Sequence, residues 1–194
     1  MFIDYLTLVM INMVAGTALL AYYLWKGMDE SDQRPYAAAF FGVGLLSLVT
    51  GLHLSFNWPL PGSYNVGYGD ATTLFGIVFL TTAFALWQGW SLVPVSIYAF
   101  FAGIDALIVG FRIYSLQMTK EPLLSAIGFV LAGLGGLGAA PYFLWFKQNK
   151  TVRMLGVLLL TVTALLWAVT FYGALWSHLE AFSKWAPATM MTGK

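Results

Sequence analysis

Residues 36–56 read YAAAFFGVGLLSLVTGLHLSF, a run without a single Asp, Glu, Lys or Arg. About 20 such residues are needed to cross the hydrocarbon of a bilayer as a helix. Lipid offers no partners for backbone N–H and C=O groups, so a crossing segment must bond to itself as a helix or join a closed barrel. The run reads as a transmembrane helix.

Working outward, five more stretches have the same character: residues 4–25, 71–87, 92–115, 123–146 and 151–179. The expected fold class is all-α: a polytopic integral membrane protein of six transmembrane helices, forming a single domain over residues 1–194. The bulk numbers agree. The chain is 60% hydrophobic and 9% charged, with mean hydropathy +0.79, where soluble domains carry about 25% charged residues. A net charge of +1 leaves no basic footprint for nucleic acid. The absence of cysteine excludes disulfides, thiolate metal sites and cysteine nucleophiles. The opening MFIDYLTLVMINM has no basic n-region and places Asp4 before the apolar run. A permanent first helix is expected, not a cleaved signal peptide.

The connections set the orientation. Lys26, Arg34, Lys147, Lys150 and Arg153 fall at one end; Lys120, Lys184 and Lys194 fall at the other, with Arg112 within reach of it. The basic end is expected in the cytoplasm and both termini outside. The longest connection, Asn57–Asp70 (NWPLPGSYNVGYGD), is then external. Its prolines and glycines argue against helix there, and Asp70 before Ala-Thr-Thr reads as the N-cap of helix three. All tryptophans but Trp167 lie near helix ends, as in an interfacial belt. A weak internal repeat aligns Ala15-Gly16 with Ala102-Gly103, Gly51 with Gly138 and Trp58 with Trp145 at one offset, as an inverted repeat would.

Function must rest on few polar groups. Asp105 and Arg112 lie seven apart, on one face of helix four. Intramembrane charges default to a functional reading, set against a structural pair or a snorkelling arginine. His53 and His178, the only imidazoles, fall at the outer ends of helices two and six. They are candidate metal or haem ligands, against the plainer reading of interfacial histidines bonded to neighbours. Asp70, Glu121 and Glu180 are expected near the same face. In the long loop, Asn57, Tyr64, Asn65 and Tyr68 offer neutral hydrogen-bonding groups over a pore mouth, or a rigid cap. The GLGGLG of helix five is a packing surface; no strand precedes it, so it is not a dinucleotide loop.

The strings GLHLSFNWPLPGSYNVGYGD, SIYAFFAGIDALIVGFRI and PLLSAIGFVLAGLGGLGAAPYF resemble, over nearly the whole chain, a family of uncharacterised small prokaryotic membrane proteins. The length, six helices, Phe40-Phe41-Gly42 and the run from Ala71-Thr72 through Leu74-Phe75-Gly76 to Tyr98, Phe100 and Asp105 are more distantly similar to the proton-gated urea and amide channels of bacteria. That resemblance implies a homo-oligomer, a hexameric ring whose protomers each carry a narrow pore for a small neutral solute. The channel family lines helix five with tryptophans and has a functional acidic residue in helix six. Here helix five is glycine-rich, helix six carries Trp167, and Glu180 lies at its end.

The expected function is therefore a channel or facilitator for a small neutral or weakly charged solute, in the cell membrane. Asp105, Arg112, Asn57, Tyr68, Asp70 and Trp167 are the pore candidates. The alternatives are a haem- or metal-binding accessory subunit of a membrane redox complex through His53 and His178, or a structural membrane protein without transport. No nucleophile–base or paired-carboxylate constellation points to an enzyme.

Overall fold

The computed structural model describes residues 6–185; Asp4 and Lys194 lie outside them. Six long helices carry the described chain: α1 Leu6–Trp25, α2 Arg34–Asn57, α3 Tyr64–Gln88, α4 Val93–Ser115, α5 Pro122–Pro141 and α6 Lys150–Ala181. A 3₁₀ turn, Gly27–Asp29, follows α1, and a π turn, Tyr142–Phe146, extends α5. All six spans are long and apolar enough to cross a membrane, and Phe101, Phe111, Leu158, Val169 and Trp176 stand exposed on their outer faces. The chain is a multi-pass membrane protein.

Local chemistry sets the helix ends. Pro35, Pro94 and Pro122 sit in the first turns of α2, α4 and α5, where a missing N–H costs nothing. Gly89, left-handed at φ 67°, stops α3 while the Trp90 amide returns to the Ala85 carbonyl at 2.8 Å. Pro141 cannot supply an amide to α5, and the chain relaxes into the π turn beyond it. The Asn149 side chain accepts from the Thr151 and Val152 amides and starts α6.

One boundary differs from expectation. α3 begins at Tyr64, so the irregular segment is only 58–63. Gly67 and Gly69 lie inside the helix, and Gly69 serves close packing: a Cβ there would sit 2.7 Å from Ser55 Oγ. Nor is Asp70 an N-cap. It lies well inside α3, where Oδ1 accepts from Ser55 Oγ of α2 at 3.1 Å. Fully buried Asn65 organises the short loop. Its Oδ1 accepts from the Leu60 amide at 2.8 Å, and its Nδ2 donates to the Leu60 and Gly62 carbonyls.

The helices close into a ring in chain order, α6 returning to α1. Glycine decides which neighbours come closest. A Cβ on Gly44 of α2 would lie 2.5 Å from the Leu80 amide nitrogen and 2.9 Å from the Gly76 carbonyl of α3. A Cβ on Gly103 of α4 would meet the Leu137 nitrogen and the Gly133 carbonyl of α5, each at 2.6 Å. The hairpins α2–α3 and α4–α5 are thus both closed on glycine. The offset that pairs Gly51 with Gly138 joins unlike sites: Gly51 abuts the Thr73 backbone, whereas Gly138 has open space.

Candidate functional site along the bundle axis

Around the ring's axis, α1, α3, α4, α5 and α6 enclose a cavity of about 120 Å³. Met13 and Thr17 come from α1, Phe75 and Phe79 from α3, small residues from α4 and α5, and Trp167 from α6. Phe75 and Phe79 stack at 4.2 Å between centroids. Gly16 makes room for them, since a Cβ there would lie 2.8 Å from Phe75 and 2.6 Å from Val43. The lining is almost wholly apolar. Thr17 has already given its hydroxyl hydrogen to the Met13 carbonyl at 2.8 Å. Trp167, 2% exposed, stacks on Phe171 and meets Phe129 edge to face. Its indole nitrogen is buried without a hydrogen-bond partner among the described residues and rests against Gly128.

The two ends of the axis differ. At the basic end a wider hollow of about 760 Å³ is lined by Tyr23, Gln33, Leu86, Trp90 and Lys147 among others. Tyr23 donates to Gln33 Oε1 at 2.6 Å, and Gln33 Nε2 reaches the Met28 carbonyl. Asp29 in the 3₁₀ turn takes both Nη atoms of Arg153. That hydrogen bond, with Lys150 and Lys26 nearby, holds its carboxyl below the usual carboxylate range. Asp32 is lowered likewise by Arg34. At the opposite end Leu54, Tyr68, Ile113, Met118 and Phe129 pack as a cluster, with Leu60 and Tyr64 over it. The segment 58–63 therefore caps the bundle.

The structure brings some of the candidates together on the axis and not others. Trp167 lines the cavity. Tyr68 is buried just beyond it, between Tyr64 and Phe129. Asn57 closes α2, its Nδ2 2.7 Å from His53 Nδ1. His178 Nδ1 lies 3.0 Å from Thr7 Oγ1. Among the described residues no three or more His, Asp or Glu side chains gather as a metal would need. Asp70 and Arg112 are exposed on the outer faces of α3 and α4. Asp105 is half-buried, with Oδ2 sequestered and without a partner among the described residues; it is not among the cavity's lining residues. No ion pair joins it to Arg112 among the described residues. Sequence reading missed Met13, Thr17, Phe75, Phe79 and Phe129 as site residues, because it searched for polar groups and the cavity wall is apolar.

The fold recurs in solved structures. A Helicobacter pylori urea channel determined by cryo-electron microscopy in its closed state superposes with TM-score 0.72 at 19% identity, over 89% of this chain and 98% of that one. The crystal structure of the urea channel from the same gastric pathogen gives TM-score 0.67 at 20% identity, over 93% and 99%. No curated protein matches by sequence. Residues 1–181 match the family described as protein of unknown function (DUF981), and the chain belongs to that family.

Proposed function

We propose that the protein is a passive channel for a small neutral solute, which crosses along the bundle axis through the cavity walled by Phe75, Phe79 and Trp167. The observation that carries this reading is the axial cavity itself, walled by five helices, together with a wide polar hollow at the basic end. The urea-channel fold supports it. An apolar wall with few hydrogen-bonding groups admits a compact uncharged molecule and penalises an ion, which would shed its hydration without replacement. A weakly charged solute would cross in its neutral form.

The proposed assembly is a homo-oligomer in the cell membrane, a ring by analogy with the fold's channel architecture. It is supported by Asp70, exposed on α3, where contact with lipid would be costly and a neighbouring copy would cover it. Native mass spectrometry reads the copy number, and a monomer in mild detergent and in nanodiscs would oppose this assembly.

The decisive experiment is solute flux into proteoliposomes, comparing urea, acetamide, ammonia and formate. Uptake of at least one above empty vesicles is expected. Equal uptake with and without protein for all four would overturn the reading.

A further inference from the structure

A second hollow lies off the axis. Between α5 and α6, towards the basic end, a lateral groove of about 390 Å³ runs beneath Leu24 and between Gly138 and Gly156, with Arg153 at its charged end. It stays open because neither glycine is filled: a Cβ on Gly138 would meet nothing within 4 Å, and one on Gly156 would only graze Leu24 at 4.0 Å. From Arg153 to Leu160 it covers about 10 Å of helix at 1.5 Å per residue, a large part of one leaflet's hydrocarbon depth. Leu155, 61% exposed, flanks it on the membrane side.

The charged end is one-sided. Arg153 lines the groove, and Lys26, whose ammonium lies 4.9 Å over the Trp25 ring, and Lys150 stand beside it near Asp29. The carboxylates there are Asp29, taken by Arg153, and Glu30, which accepts from Tyr36. Arg153 spends both Nη atoms on Asp29, and its Nε is buried with no hydrogen-bond partner among the described residues. Lys26 and Lys150 are exposed. An apolar slot of leaflet depth ending in excess positive charge at the membrane surface is complementary to one molecule class, an acyl chain beneath an anionic headgroup.

We propose that the α5–α6 groove binds one acyl chain of an anionic phospholipid, with its phosphate drawn to the exposed ammonium groups of Lys26 and Lys150. The site does not depend on transport, but it adjoins the axial cavity. Leu20, Gly135, Ala139 and Leu160 line both hollows, so a bound chain backs the cavity wall.

The test is native mass spectrometry of the full chain in mild detergent, titrated with phosphatidylglycerol or with phosphatidylcholine of the same chains. One phosphatidylglycerol adduct per chain is expected, retained about fivefold over phosphatidylcholine or more. Gly138→Phe fills the slot and should abolish that adduct, as should Gly156→Phe from the opposite wall. Gly42→Phe adds the same ring at another open position and should leave it intact. Lys26→Gln with Lys150→Gln should remove the headgroup preference while a weaker adduct persists. Inorganic phosphate should not compete. Three results would overturn the proposal: equal retention of the two lipids, an adduct unchanged in both groove-filling variants, or no adduct because a second copy covers the groove.

Discussion

Arg153 of α6 holds the carboxylate of Asp29 with both terminal nitrogens, at 2.6 and 2.7 Å, and so ties the turn after α1 to the start of the last helix. The bidentate geometry fixes the position of each partner as well as its charge. It clamps the ring at the end where the axial hollow opens.

Acid should release this clamp. The Asp29 carboxyl is held below its ordinary value chiefly by the Arg153 hydrogen bond. A lowered folded-state value means the contribution is complete above the unfolded pKa, near 3.9, and disappears as pH falls through the folded one. Melting temperature followed by tryptophan fluorescence should be flat from about pH 5 upward and drop below about pH 4. Asp29→Asn should lower the plateau and shallow the acid limb. An acid limb identical to wild type would remove Asp29 from the account.

The hairpin glycines should tolerate nothing larger. Gly44→Leu places a side chain against the Leu80 and Gly76 backbone, which cannot move aside as a rotamer can. Overpacking of a well-packed core costs about 1–3 kcal/mol and more where backbone must shift, so a loss at or above the top of that range is expected. Gly42→Leu, two residues away and open, should stay within about 0.5 kcal/mol. Thermal unfolding of both in detergent checks the contrast.

Much of this architecture was legible from hydropathy, because a membrane allows so few backbone solutions. The six spans and the proline-led starts of α2 and α5 follow from composition and proline chemistry alone. The start of α3 did not, because Gly67 and Gly69 look like breakers until α2 is packed beside them. Gly69 is there for Ser55, not for a turn. The site was less legible still. Residues of α1, α3, α4, α5 and α6 meet only once the ring closes, and Phe75 or Met13 carries no mark in sequence to separate a cavity wall from a lipid face. Trp167 alone stood out, as the tryptophan far from any helix end.

The contact between Trp167 and Gly128 should control the cavity's width. Gly128→Ala drives a methyl group into the indole and forces the ring towards the axis, at about 1–3 kcal/mol, with reduced flux of the permeant solute. Trp167→Phe removes bulk and an unpartnered N–H. It should raise flux and change stability by no more than about 1 kcal/mol. The double variant should recover the stability lost in Gly128→Ala. Lack of recovery would mean that the methyl group strikes something other than the indole.

The loop charges predict an orientation that labelling can measure directly. The chain has no cysteine, so single cysteines report topology cleanly. Ser63→Cys, in the cap segment, should react with an impermeant maleimide on intact cells. Gln148→Cys, between α5 and α6, should react only after permeabilisation. The reverse pattern would invert the protein.

Asp105 and Arg112 share a helix but not a bond, and this decides how their variants behave. If they formed a buried pair, each single neutralisation would destabilise and the double would be partly rescued. Asp105 instead sequesters Oδ2 without a partner, and Arg112 is exposed. Asp105→Asn removes an uncompensated carboxylate and should keep or raise thermal stability. Arg112→Gln should stay within about 0.5 kcal/mol. Their effects should add, with a coupling below about 0.5 kcal/mol in the double-mutant cycle. Flux per folded protein, measured beside stability, then separates the remaining roles. Unchanged flux in Asp105→Asn places this carboxylate outside the permeation path. Altered flux at constant stability shows that water reaches it from the axis.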